Sequence, residues 1–131
     1  MNVLMDEEIF AAEGAEGRLN AIIDSGATAS IMSLATAEKL SHHVKNIDPT
    51  VKRKFRTASN NVLTSLSMAT MEIPNFGEVA FHICEGAIPT LIGMTTLANA
   101  SVDFRKGILE VRGEAFDLQR NPSGHLVVPL N

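Results

Sequence analysis

The chain has 131 residues, 45% of them apolar, and 15 acidic against 11 basic residues give it a net charge of −4. This composition is typical of one globular domain spanning residues 1–131 and argues against a disordered chain. Six Phe with no Trp or Tyr, and no obviously basic face, argue against nucleic-acid binding. The single cysteine, Cys84, excludes an internal disulfide and any multi-cysteine metal site.

The sequence also bears on location. No apolar run approaches the roughly 18 residues of a membrane span. Acidic residues stand near the N-terminus, where a secretory signal peptide would be basic. We therefore expect no membrane association and an intracellular protein, or one cut from a longer precursor.

Short strands separated by turn residues dominate the first half of the chain. Segments 3–12 and 17–24 predict a hairpin around the loop "EGAE". Segment 33–40 predicts a short helix with Ser33 as its N-cap, and a polar stretch follows it. Segment 52–74 predicts two strands around an asparagine turn, because Asn tolerates left-handed backbone geometry.

The second half continues in the same way. In order, the patterns predict a half-buried strand at 77–84, a buried strand at 89–93, a short helical segment at 94–100, a hairpin at 100–113 and a terminal strand at 125–131. Many short strands with one or two short helices predict an all-β fold, a small closed β-barrel.

Asp24 is the first candidate for chemistry. It follows the apolar "AII" and precedes only small residues, in "AIIDSGATAS" at 21–30. An acid at the end of a buried strand costs free energy unless it is hydrogen-bonded or paired. The small residues leave room for another group to approach the carboxylate. A structural turn cap is the alternative on this evidence alone.

A second motif favours a catalytic role for Asp24 over a structural turn cap. The stretch "DSGATASIM" at 24–32 is followed later by "LIGMTTL" at 91–97 and "VDF" at 102–104, with "TASN" at 57–60 between them. These motifs, in this order, resemble the retropepsin-like aspartic proteases of retroviruses and long-terminal-repeat retrotransposons. The resemblance covers roughly residues 8–131.

The resemblance implies a retropepsin-like barrel that is a homodimer, in which each chain gives one catalytic Asp24. Ser25 and Gly26 would complete the active-site loop, and Leu91 and Gly93 would support it. The implied substrate-binding residues are Ala27, Thr28, Ala58, Ser59, Asn60, Asn61, Val62 and Ile92.

The resemblance also implies a mobile flap and a strand that pairs across the dimer. A flap hairpin at about 55–73 would close over an extended peptide, and a strand at about 125–131 would interleave with its mate in the dimer. The implied function is an aspartic endopeptidase that cuts between apolar residues during polyprotein maturation in a retroelement or retroviral-like system. Its partners would be a second copy and a peptide or polyprotein substrate, in the cytoplasm or a virus-like particle. No cofactor and no metal are implied.

Departures from the family pattern keep a second hypothesis open. Thr28 and Met94 stand where many retroviral members carry an acid and an arginine that pair near the dimer interface. The flap segment 57–66 contains no glycine, whereas retroviral flaps are rich in it. The competing hypothesis is therefore a non-catalytic retropepsin-fold dimerisation or peptide-binding module.

His42-His43 is a weak metal candidate, because no further His or Cys stands at ligand spacing.

Overall fold

The computed structural model describes residues 19–56 and 60–131. The predicted strand at 3–12, with its loop, and residues Ala58 and Ser59 of the predicted flap lie outside the described residues.

The described chain is built mostly of short strands. Its first half contains β1 (Asn20–Ile23), β2 (Ile31–Ser33), helix α1 (Leu34–Lys39), a 3-10 turn (Ser41–His43), β3 (Val44–Asp48), β4 (Lys54–Arg56) and β5 (Val62–Ile73). Its second half contains β6 (Gly77–Cys84), β7 (Leu91–Ile92), helix α2 (Met94–Leu97), β8 (Ala100–Asp103), β9 (Ile108–Val111), β10 (Glu114–Asp117), β11 (Gln119–Arg120) and β12 (Leu126–Pro129). The prediction of an all-β fold with one or two short helices is confirmed.

Helix α1 begins where the sequence predicts. The Ser33 hydroxyl accepts a hydrogen bond from the backbone N–H of Thr36 at 3.1 Å, which satisfies one of the unpaired donors of the first turn. The helix ends at Leu40, whose fully buried side chain joins the main core.

Most strands belong to one large sheet, in the order β11-β12-β1-β7-β2-β6-β5-β3, with β4 paired to β5. Strands β8, β9 and β10 form a separate antiparallel sheet. Strand β7 pairs in parallel with β1, at Ile22↔Leu91 and Ile23↔Ile92, and antiparallel with β2. It therefore lies between the two strands that flank the loop carrying Asp24.

Two apolar clusters fill the interior. The main core draws residues from β1, β5, β6, β9 and β12, so the large sheet and the small sheet enclose it together. A second cluster lies under the loop that follows β1 and contains Ile22, Ala27, Ala29, Ile31, Phe55, Cys84, Ile88, Leu91 and Val127. Strand β6 borders both clusters.

This arrangement corrects the prediction of a half-buried β6. Val79, Phe81 and Ile83 face the main core as the alternation predicts. On the opposite face Glu78 is exposed, but His82 and Cys84 are buried. The second cluster covers that face near the end of the strand, so its polar pattern does not mark a solvent-facing side.

Strand β3 was not predicted, because its residues are polar and mostly exposed. It forms by antiparallel pairing with β5, including Ile47↔Ala69 and Asp48↔Met68. Lys45 adds ion pairs of 3.2 Å to Glu72 on β5 and to Glu78 on β6.

Candidate active site

The loop after β1 carries Asp24 out of the interior. Residues 21–23 are buried, Asp24 is half-buried, and Ser25 and Gly26 are exposed. The backbone N–H of Asp24 donates to the Ile92 carbonyl at 3.0 Å, which continues the pairing between β1 and β7. The Asp24 carbonyl accepts from the N–H of Ala27 at 3.2 Å and closes a tight turn. The loop tip is therefore anchored at its base and open to solvent.

The Asp24 carboxylate has a hydrogen-bond partner inside this turn. Its Oδ1 accepts from the backbone N–H of Gly26 at 2.9 Å. A Cβ at position 26 would lie 3.2 Å from that oxygen, so glycine gives the loop room for this approach. Within the protomer, a backbone N–H is therefore the hydrogen-bond partner of this carboxylate.

Backbone bonds from the start of α2 hold the loop from behind. The N–H of Met94 donates to the Ala27 carbonyl at 2.8 Å, and the N–H of Thr95 donates to the Thr28 carbonyl at 3.1 Å. Thr28 and Met94 stand where many relatives would pair an acid with an arginine. In this chain, main-chain hydrogen bonds join the same two segments.

Gly93 and Ser30 complete this support. A Cβ at Gly93 would lie 2.4 Å from the Ala29 carbonyl oxygen, so only glycine lets the two segments approach so closely. The buried Ser30 hydroxyl accepts from the Gly93 N–H at 3.0 Å and shares a 2.6 Å hydrogen bond with the Thr96 hydroxyl. This hydroxyl pair links the loop to α2 inside the protein.

The remaining predicted residues near the loop separate into two groups. Leu91, which was predicted to support the loop, is fully buried in the second cluster. Ile92 is fully buried in the main core and Ala27 in the second cluster, so the side chains of both support the loop, and their predicted substrate contacts are not accessible in the protomer. Thr28 is exposed beside Asp24.

The predicted flap is a hairpin of β4 and β5, paired at Lys54↔Thr64, Phe55↔Leu63 and Arg56↔Val62. At its tip Asn60 has a left-handed φ of 69°, the conformation that glycine usually supplies, and its Oδ1 accepts from Arg56 at 2.7 Å. Asn60, Asn61 and Val62 are exposed.

The base of the flap is fixed to the same cluster as the active-site loop. Phe55 is 3% exposed and packs in the second cluster with Ile31 and Leu91. Two hydrogen bonds join the backbone of Arg53 to the buried Ser65. The Ser65 N–H donates to the Arg53 carbonyl at 2.8 Å, and the Arg53 N–H donates to the Ser65 hydroxyl at 2.7 Å. The flap and the Asp24 loop therefore rest on one apolar support.

A family model described as aspartyl protease matches residues 11–96, more than half of the chain. The chain belongs to the aspartyl protease family. The match confirms the resemblance carried by the two motifs, both of which begin inside it, and supports a protease of this type. No curated protein sequence matches the chain.

No three His, Cys, Asp or Glu side chains within residues 19–56 and 60–131 lie together as a metal would require. His42 and His43 only stack on each other, with ring centroids 4.1 Å apart. None of the helices described is long and apolar enough to cross a membrane.

Sequence reasoning missed two residues of this site. Ser30 stands between Ala29 and Ile31, and a small polar residue within a buried apolar run was the available signal for a hydrogen-bonding role. His82 lies on the face of β6 that the alternation predicts to be solvent-facing, and nothing in the sequence indicates that it is buried.

Proposed function

We propose that this aspartyl protease domain is an endopeptidase that acts as a homodimer, with Asp24 of each chain forming a catalytic dyad. One observation carries the proposal: the only Asp-Ser-Gly loop of the chain leaves a buried strand and presents a half-buried carboxylate at an open tip. A single chain supplies one such carboxylate. A two-fold symmetric dimer would place a second, identical carboxylate opposite the first.

The chemistry of such a dyad follows from charge repulsion. Two carboxylates held close together share one proton, because both cannot ionise easily, and they titrate as a coupled pair. The ionised Asp24 takes a proton from a water molecule, whose oxygen attacks the scissile carbonyl carbon. The protonated Asp24 donates to the carbonyl oxygen. Collapse of the tetrahedral intermediate breaks the C–N bond, and the leaving amine takes up a proton from the dyad.

The proposed substrate is an extended peptide, bound as an added strand between the loop and the flap. Exposed Thr28 on the loop and the exposed flap residues Asn60, Asn61 and Val62 support this position. The Val62 side chain is 54% exposed and offers an apolar contact, which supports cleavage between apolar residues. Polyprotein maturation in a retroelement or retroviral-like system is the biological setting that we propose.

The pairing of the terminal strand β12 within one chain limits which of its residues can contact the partner chain. Within one chain β12 pairs with β1 along Val127 to Pro129 and with β11 at Leu126 and Val127. Among the described residues, the edge of β12 beyond β11 has no strand neighbour. We therefore propose that interleaving with the partner chain uses residues 128–131 rather than the whole segment 125–131.

The flap tip favours the second candidate function, a non-catalytic peptide-binding or dimerisation module. Asn60 replaces the glycines of a mobile flap, and its side chain is bonded to Arg56 on the flap's own stem. This bond lies within the flap and reduces the conformational freedom of the tip itself, whereas turnover requires the flap to open and close.

One comparison separates the two functions. The wild-type protein and Asp24→Asn are incubated with a denatured protein substrate between about pH 3 and pH 7, a range that spans ordinary carboxyl pKa values. We expect Asp24→Asn to abolish cleavage and keep the fold, because the Asn amide oxygen can still accept the Gly26 N–H. Asp117→Asn, at an exposed position on β10, is the matched control and should cut normally. Equal cleavage by wild type and Asp24→Asn, or no cleavage by a demonstrated dimer, would exclude the endopeptidase.

A further inference from the structure

A second concave site, the side cavity, lies beside the active-site loop. Its volume is about 740 Å³. Ala29, at the end of the Asp24 loop, and Thr95 and Thr96 of α2 form one wall. The outward-facing residues Glu78, Ala80 and His82 of β6 also line it. Thr28, which is exposed on the Asp24 loop, directly precedes Ala29, so adjacent residues belong to the loop surface and to the cavity wall.

Two arginines line the side cavity. Arg112 is held in place: its backbone has a left-handed φ of 52°, and its Nη2 donates to the Phe76 carbonyl at 2.9 Å. A Cβ at Gly77 would lie 2.6 Å from that nitrogen, so the guanidinium packs directly over this glycine. The Arg112 side chain is otherwise exposed. Arg53 also lines the cavity, with its guanidinium carbon 5.7 Å from the centre of the Phe55 ring.

The positive charges of the two cavity arginines are not neutralised by carboxylates among the described residues. Across residues 19–56 and 60–131 the ion pairs all involve Lys45, and neither Arg53 nor Arg112 has a carboxylate partner there. The one acid of the lining, Glu78, is held by Lys45 at 3.2 Å. A cavity with two unpaired guanidinium groups is notable in a chain whose net charge is −4. It is suited to an anionic ligand.

His82 adds a buried polar atom without a partner. Its side chain lines the cavity, the residue is 4% exposed, and Nδ1 makes no hydrogen bond. Burial, and then the positive charge of Arg53, lower the pKa of this imidazole below its ordinary value of 6.5. Buried polar atoms are nearly always hydrogen-bonded, so this nitrogen is an exception in a residue that borders the cavity.

We propose that the side cavity binds an acidic side chain of the peptide substrate, at a position outside the residues that flank the scissile bond. The planar guanidinium fork recognises a carboxylate with paired hydrogen bonds, and a fixed arginine loses little conformational freedom in doing so. The apolar residues Met68, Ala80 and Val111 of the lining would pack against the methylene groups of a glutamate. This inference rests on the proposed function, because it takes the ligand to be the substrate of the Asp24 site.

The test measures binding separately from cleavage. Fluorescent peptides carry an apolar pair at the centre and either Glu or Gln at one outer position, which is scanned along the peptide. Their affinities are measured for Asp24→Asn, which binds without cutting. We expect one position at which Glu binds about tenfold more tightly than Gln, the scale of a well-placed charge pair.

Arginine variants then locate the preference. The double variant Arg53→Gln/Arg112→Gln should bind the Glu and Gln peptides equally. Arg105→Gln, at an exposed arginine in the β8–β9 turn outside the lining, should keep the preference. Arg53→Gln alone keeps the test valid if the double variant fails to fold, because the bonds of Arg53 to Ser65 use only its backbone. In NMR spectra the ring signals of His82 should shift when the Glu peptide is added but not when the Gln peptide is added. The three other histidines serve as references.

The outcomes are distinct. Equal binding of Glu and Gln peptides at every position, or a preference that survives the arginine variants, overturns the inference even if the wild type cleaves. A Glu preference lost in the arginine variants, without any cleavage by the wild type, supports the side cavity and overturns the endopeptidase. If N-acetylglutamate alone competes as strongly as the peptide, the cavity binds a free carboxylate and the assignment to the substrate is wrong.

Discussion

Gly93, which directly follows β7, packs tightly against the Asp24 loop. A Cβ there would lie 2.4 Å from the oxygen and 2.5 Å from the carbon of the Ala29 carbonyl. Both are backbone atoms, so no side-chain rotation relieves the contact. Gly93→Ala must therefore displace the loop or β7, and with it the Ser30 hydroxyl that accepts the Gly93 N–H.

We expect Gly93→Ala to lower the free energy of unfolding by about 2–3 kcal/mol, the upper part of the usual cost of overpacking. Urea unfolding measures it. Thr95→Ala, two residues along at an exposed position, is the control and should change stability by less than about 0.5 kcal/mol. A Gly93→Ala protein as stable as the control would contradict the close approach.

His82 gives the domain a component of pH dependence that can be assigned to one residue. Burial and the Arg53 charge lower its pKa in the folded state below the ordinary 6.5. As the pH falls below about 6.5, the unfolded chain takes up a proton at His82 before the folded one does. The free energy of unfolding should therefore be at its full value above that pH and fall below it. In urea unfolding from about pH 7.5 to pH 5, His82→Gln should lose stability less steeply than wild type. Identical slopes would show that His82 titrates normally.

At the scale of elements, β4 of the flap has one buried apolar anchor. Strand β4 has three residues, and Phe55 is the buried one, packed in the second cluster beneath the flap. Phe55→Ala removes that packing, and such a truncation costs about 3–5 kcal/mol when the cavity does not collapse. We expect faster amide hydrogen exchange at Leu63 and Thr64 of β5, opposite β4. Exchange in the separate β8–β10 sheet should change much less, and acceleration spread evenly over both sheets would contradict a local anchor.

Local patterns predicted the elements that depend on neighbouring residues. The cap at Ser33, the hairpin turning at Asn60 and the apolar face of β6 follow from short-range chemistry and strand alternation. The exposed strand β3 escaped prediction, because it forms by pairing with β5, a distant segment that its own polar residues do not indicate. The short strands β10 and β11 also form only by pairing, β10 with β9 and β11 with β12.

The candidate site divides in the same way. Asp24, Gly26 and Gly93 could be predicted, because their motifs lie in two continuous stretches. The bond between the Ser30 and Thr96 hydroxyls joins residues far apart in the chain, and the burial of His82 depends on the cluster packed over β6. Such contacts are products of the tertiary fold, and a single sequence carries little sign of them.

At the scale of the whole molecule, the terminal strand serves the protomer before any dimer. Val128 and Leu130 are fully buried in the main core, and the Leu130 N–H donates to the Leu19 carbonyl at 2.8 Å. Trimming residues 125–131 should therefore weaken the fold together with any dimer. A test of the dimer has to leave this strand intact.

Mixing active and inactive chains meets that requirement. If the active species is a dimer with one Asp24 from each chain, a heterodimer with Asp24→Asn lacks half of the dyad. An equal mixture, equilibrated at a concentration where sedimentation shows dimers, should retain about one quarter of the activity of the same total amount of wild type, because chains pair at random in a symmetric dimer. Wild type diluted to the same extent with an inert carrier protein should retain about half, since every remaining dimer is intact. Activity of about one half in the Asp24→Asn mixture would show that each chain works alone, and the shared dyad would have to be abandoned.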